Sequence, residues 1–87
     1  MDQLLTGFCR KLVKSEQFTL DDHVYPVHYY VEHTMRGVRR YSSEIVFGHA
    51  DRIILDDDSM PNLESKVARL VPASIYSRVL AARATAA

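Results

Sequence analysis

Between Gln17 and Asp57 apolar residues return at every second position, and that two-fold period directs this stretch into strands folded back on one another. The alternation is clearest from Val24 to Thr34. There Tyr25, Val27, Tyr29 and Val31 fall on one face and Pro26, His28, Tyr30 and Glu32 on the other. Met35-Arg36-Gly37 suits a three-residue hairpin loop whose last position is left-handed, because glycine enters that conformation without a Cβ clash. Counting back from this loop, Val31 faces Tyr41, Tyr29 faces Ser43 and Val27 faces Ile45 on the apolar side. Glu32 then faces Arg40 and His28 faces Glu44 on the polar side. A slip of one residue would exchange the two faces, so both patterns support a single register.

The neighbouring turns extend the ribbon to four strands. A two-residue turn at Asp21-Asp22 sets Leu20 opposite His23 and Phe18 opposite Tyr25. A turn over Gly48 to Arg52 keeps Phe47 and Ile53 on one face, most simply with Phe47 opposite Ile53 and Ile45 opposite Leu55. Val46 would then meet Ile54, and Glu44 would meet Asp56. The apolar face of such a meander must be covered, and the chain ends supply the cover. From Asp2 to Glu16, the residues Leu5, Phe8, Cys9, Leu12 and Val13 make one helical stripe, and Leu63, Val67, Leu70 and Val71 make another. Pro61 belongs in the first turn of that second helix, whereas Pro72 predicts a break before a last helix from about Ala73 to Arg83. The expected fold is a single α+β domain over residues 1–87, with residues 83–87 frayed. Its two layers comprise an N-terminal helix, a four-stranded antiparallel meander and two C-terminal helices packed on one sheet face.

Eleven basic and eleven acidic side chains cancel, which removes the long-range field that draws a whole molecule onto nucleic acid or an anionic membrane. Cys9 is the only cysteine, so an intrachain disulfide cannot form and a reducing cytoplasm is the expected setting. No run approaches the ~18 apolar residues of a membrane span. The sequence contains no phosphate-binding glycine loop, zinc-type Cys/His spacing or serine elbow, and neither a metal nor a cofactor is expected.

Candidate functional residues therefore come from the sheet face turned away from the helices. His28, Glu44 and Asp56 form a lateral row in the inferred register. There an imidazole beside a carboxylate suits general base chemistry, with Asp56 as a second acid or metal ligand. The same row also reads as an ordinary favourable cross-strand pair. The second candidate is apolar: Pro26, Val46 and Ile54, extended by Tyr30, lie where a sheet normally meets water, and contiguous apolar surface marks association. Arg36, Arg39 and Arg40 make a basic hairpin end that would serve a nucleic-acid regulator, although nearby acids compete with phosphate. His23, His33 and His49 suit local hydrogen bonding, and Asp56-Asp57-Asp58 lacks the pattern of a calcium loop. The leading expectation is a small homodimeric interaction module that contacts a protein or a small apolar ligand. The alternatives are a small enzyme or metal-binding protein built on His28, and a nucleic-acid-binding regulator.

Overall fold

The structure is a computed structural model that describes residues 9–33 and 36–86. Strands β1 (Cys9–Leu20), β2 (His23–His33), β3 (Arg39–Gly48) and β4 (Asp51–Asp57) precede one long helix, α1 (Met60–Ala86). The strands form a single antiparallel sheet in the order β1-β2-β3-β4. Both residues of the first turn are left-handed, with φ of 52° at Asp21 and 67° at Asp22, the twist that lets a two-residue hairpin follow its strands. Leu20 pairs with His23 and Phe18 with Tyr25, as the alternation requires. Gly37, at φ 78°, takes the left-handed position of the next loop. The β2–β3 register follows with Val27 opposite Ile45 and His28 opposite Glu44.

Three expectations are corrected. Cys9–Glu16 belongs to a strand and not to an N-terminal helix, while the part of that reading on residues 2–8 lies outside the described residues. A bulge between Leu12 and Lys14 shifts the alternation of β1 in mid-strand, and the adjacent apolar pair Leu12-Val13 imitates a helical stripe. Hydrogen bonding to β2 along nearly the whole strand then outweighs a short stripe containing Gly7. Second, the C-terminal region is one helix with Pro72 inside it, and not two helices. Leu63, Val67, Val71 and Ile75 are all buried at intervals of four, so the same stripe packs on the sheet before and after the proline. Third, β4 is displaced by two residues from its expected pairing: Ile45 faces Ile53, Ser43 faces Leu55 and Glu44 faces Ile54. The turn is only His49-Ala50, with Ala50 left-handed at φ 58°, and the extra residue is accommodated as a bulge at Phe47.

The core lies between the helix and the sheet, where Val27, Tyr29 and Ile45 meet Leu63, Val67, Val71 and Ile75. Helix α1 runs over β3 and β4. Its start is capped by Ser59, whose Oγ accepts from the Asn62 amide at 3.3 Å while its carbonyl accepts from Leu63 at 3.0 Å. Pro61 sits in the first turn, where its missing N–H is not needed. Lys66 pairs with Asp57 at 3.1 Å and Lys14 pairs with Glu64, tying the first turns of the helix to β4 and β1.

Tyr29 makes the core sensitive to alkali. Its ring is 1% exposed, its hydroxyl donates to Glu16 at 2.8 Å, and burial followed by that bond holds the phenol well above its ordinary value of 10.0. Above pH 10.0 the unfolded chain releases this proton while the folded chain keeps it, so stability is whole below that pH and declines as pH rises toward the folded value. Tyr29→Phe should cost about 1 kcal/mol at neutral pH yet flatten the decline. Urea midpoints taken between about pH 8 and 11 check this, and equal alkaline slopes in parent and variant would remove Tyr29 as the cause.

Candidate interaction face

With α1 on one side, the opposite side of the sheet forms a broad outer face among the described residues. Its rows follow from the ladder. Arg10, Glu32 and Arg40 form the first, and Leu12, Tyr30, Ser42 and Asp56 the second. Ser15, His28, Glu44 and Ile54 form the third. Gln17 faces Pro26 and Val46 faces Arg52 in the row beyond.

The structure brings His28 and Glu44 together as ladder partners but moves Asp56 one row away, opposite Ser42. His28 Nδ1 lies 3.0 Å from Ser15 Oγ. The Glu44 carboxylate accepts from Arg52 Nη1 at 2.7 Å, and Asp56 accepts from Arg40 Nη2 at 3.0 Å. Each acid of the expected row is thus paired with an arginine. Ser15 escaped the sequence reading because it was assigned to a helix. Its position opposite His28 follows from the Asp21-Asp22 hairpin once β1 is extended back through Ser15.

The apolar candidates are on the face as expected. Ile54 is 59% exposed, Pro26, Tyr30 and Val46 are half-buried, and the same surface gains Leu12, 52% exposed, from β1. Tyr30 is overlaid by the Arg10 guanidinium 3.6 Å from its ring centre. Arg10 pairs with Glu32 at 3.6 Å, and Ser42 Oγ donates to Glu32 at 3.1 Å. The charges of the face, Arg10, Arg40, Arg52, Glu32, Glu44 and Asp56, are three of each sign and are joined in pairs within it.

At the basic hairpin end Arg39 and Arg40 are likewise partnered. Arg40 binds Asp56 and Asp58, a hydrogen bond to Asp56 leading the influences that raise its pKa, and Arg39 Nε donates to His33 Nε2 at 3.3 Å. Asp57 is held below the ordinary carboxylate range, first by its bond to Lys66. The Asp56-Asp57-Asp58 run is therefore neutralised locally by Arg40 and Lys66. His23 Nδ1 lies 3.0 Å from the Asp21 carbonyl oxygen, a contact of the turn. Among the described residues no group of three or more His, Cys, Asp or Glu side chains is arranged to hold a metal ion.

A hollow of about 220 Å³ lies at the far end of the helix, between Tyr25, Phe47, Ile75 and Arg78. Arg78 lies across its polar side. Nε and Nη2 each donate to Asp51 at 2.8 Å, the guanidinium lies 3.9 Å from the centre of the Phe47 ring, and Nη1 donates to the Ser74 carbonyl at 3.1 Å. Those bonds draw the Asp51 carboxyl below its usual range. Another hollow of about 520 Å³ follows the β3–β4 turn along Val46 to Arg52. Neither hollow is lined by His28, Glu44 or Asp56. Among the described residues no helix is long and apolar enough to cross a membrane.

The geometry defines a small α+β domain with one covered and one open sheet face. No known protein family, curated protein or solved structure matches the chain.

Proposed function

We propose that this chain is a small interaction module that binds a protein partner through the outer face of its sheet. The observation that carries the reading is the apolar surface of the face, Leu12 with Tyr30 and, across Ser42, His28 and Glu44, Pro26 with Val46 and Ile54, among charges already joined in pairs. Covering these two patches gains ~25 cal/mol per Å² of apolar area, and no internal ion pair has to be broken to do it. A small apolar ligand would need a concave site around either patch, so a protein surface is the better match to a sheet. The single cysteine supports a reducing, cytoplasmic setting. The nucleic-acid reading is disfavoured by the acids bound to Arg40 and by zero formal net charge. A catalytic reading retains one supporting contact, Ser15 with His28, but Glu44 is engaged by Arg52 on an open surface that does not exclude water.

Photocrosslinking in the source cell tests the module directly. Benzoylphenylalanine in place of Ile54 should yield protein adducts that the same group at Arg69, on the exposed side of the helix, does not. Equal labelling at both positions, or none at either, would remove the outer face as the binding surface.

A further inference from the structure

We propose that the occupant of the outer face is a second copy of this chain. The two sheets would pack face to face about a two-fold axis that runs parallel to the strands, midway between β2 and β3. The inference rests on the outer face being an interaction surface and adds the identity of what covers it.

The argument lies in the order of side chains across the strands. A two-fold axis in this direction keeps each lateral row over itself and reverses it, so that β1 lies over β4 and β2 over β3. The end row reads Arg10, Glu32, Arg40 and, bonded to Arg40 just past β4, Asp58. Its signs alternate plus, minus, plus, minus. Reversed upon itself, this row sets Arg10 against Asp58 and Glu32 against Arg40 of the other copy, every cation meeting an anion. The row Ser15, His28, Glu44, Ile54, reversed, sets the His28 imidazole against the Glu44 carboxylate, a hydrogen-bonding match, and Ser15 against Ile54. In the intervening row Tyr30 comes over Ser42 and Leu12 over Asp56, and one step beyond Val27 and Ile45 the apolar Pro26 comes over Val46 with Gln17 over Arg52. A sheet face chosen without regard to self-pairing has no reason to carry an end row whose charges alternate so that every one is matched on reversal. With Asp58 counted, the face carries three cations and four anions, close enough to balance that two such faces repel little.

Size agrees with the charge pattern. Four strands ~4.8 Å apart and about five lateral rows offer roughly 500 to 600 Å² per copy, which brings the pair to the ~1,000 Å² that a specific interface requires. The chain alone has a radius of gyration of 15.2 Å and is only 17 Å through its shortest dimension. A compact domain of this length is nearer ~12 Å in radius. A second sheet ~10 Å from the first would convert a two-layer domain into a four-layer one with its outer apolar patches enclosed.

Light scattering and chemical crosslinking test the assembly. At ~100 μM the parent should give twice the chain mass of 9.9 kDa, Ile54→Asp should give the monomer mass, and Tyr76→Asp, on the helix, should leave the dimer intact. In a Cys9→Ser background, a bis-maleimide spanning ~10 Å should join Ser15→Cys chains to Ile54→Cys chains far more readily than two Ile54→Cys chains to each other, since sheets pack ~10 Å apart and β4 strands would lie at opposite edges. The mixed crosslink uses two variants that keep the charged rows, so it decides the question even if Ile54→Asp fails to fold. A monomeric parent, a dimer dissolved by Tyr76→Asp but not by Ile54→Asp, or crosslinking that favours two Ile54→Cys chains would each overturn the proposal. A monomer whose residue 54 still photocrosslinks to other proteins would leave the interaction module standing with a different partner. Absence of any adduct would end both.

Discussion

Replacing Pro72 by alanine is expected to stabilise the protein by about 2 kcal/mol and to raise its thermal midpoint by roughly 8 to 16 °C. Proline at this position, inside Met60–Ala86, donates no hydrogen bond to the Ala68 carbonyl, and its ring crowds that group. A proline in a helix interior costs ~3 kcal/mol relative to alanine, and its stiffening of the unfolded chain returns only about 0.4 to 1 kcal/mol of that. The helix tolerates it because Val71 and Ile75, on either side, are 0% and 3% exposed, while the Arg78–Asp51 pair holds the next turn. Thermal unfolding followed by circular dichroism measures the effect. An unchanged or lower midpoint in Pro72→Ala would mean that the two halves are not one continuous helix.

The opposite change is expected from Leu63→Ala, a loss of about 3 to 4 kcal/mol. Leu63 is 0% exposed and leads the stripe that closes the sheet, so truncation removes its apolar contacts and leaves a cavity that Val27, Tyr29 and Ile45 are too tightly placed to fill. A domain of this length has roughly 4 to 13 kcal/mol in all, so this one truncation consumes a large part of it. In urea, with a slope of ~1.5 kcal/mol per molar, the midpoint should fall by about 2 M. Leu80→Ala, at a side chain 45% exposed, is the control and should shift it by far less. Equal shifts in the two variants would contradict the assignment of Leu63 to the core.

These expectations draw unevenly on what the sequence made legible. The β2–β3 register was readable because two constraints coincide there: Gly37 fixes the turn, and a one-residue slip would bury Glu32 and His28 while exposing Val27 and Tyr29. The β3–β4 register was not. Parity kept Phe47 and Ile53 on the same side, but it is blind to a displacement of two, and the choice rested on a turn length that a bulge at Phe47 altered. In consequence Pro26 and Tyr30 keep their expected neighbours on β3, whereas Ile54 lies opposite Glu44 and not Val46, and Asp56 lies opposite Ser42 and not Glu44. Strand β1 was obscured for a related reason, since the irregularity at Val13 erases the two-fold period from which a strand is recognised. Pro72 misled differently. A local rule about backbone geometry was overridden by the burial of Val71 and Ile75 on a common stripe, which periodicity recorded but the proline rule outweighed.

The irregularity at Val13 has a bearing on whether the border of the sheet can recruit further chains. β1 borders the sheet over twelve residues, and a flat border of that length is a template on which further chains can stack sideways into ribbons without limit. The kink turns part of that border out of plane, and Arg10, Lys11 and Lys14 place positive charge along the same stretch. At the other margin β4 is only seven residues long and begins and ends in aspartate. Growth from either side is thus discouraged by shape and by charge, while the broad surface between them stays accessible.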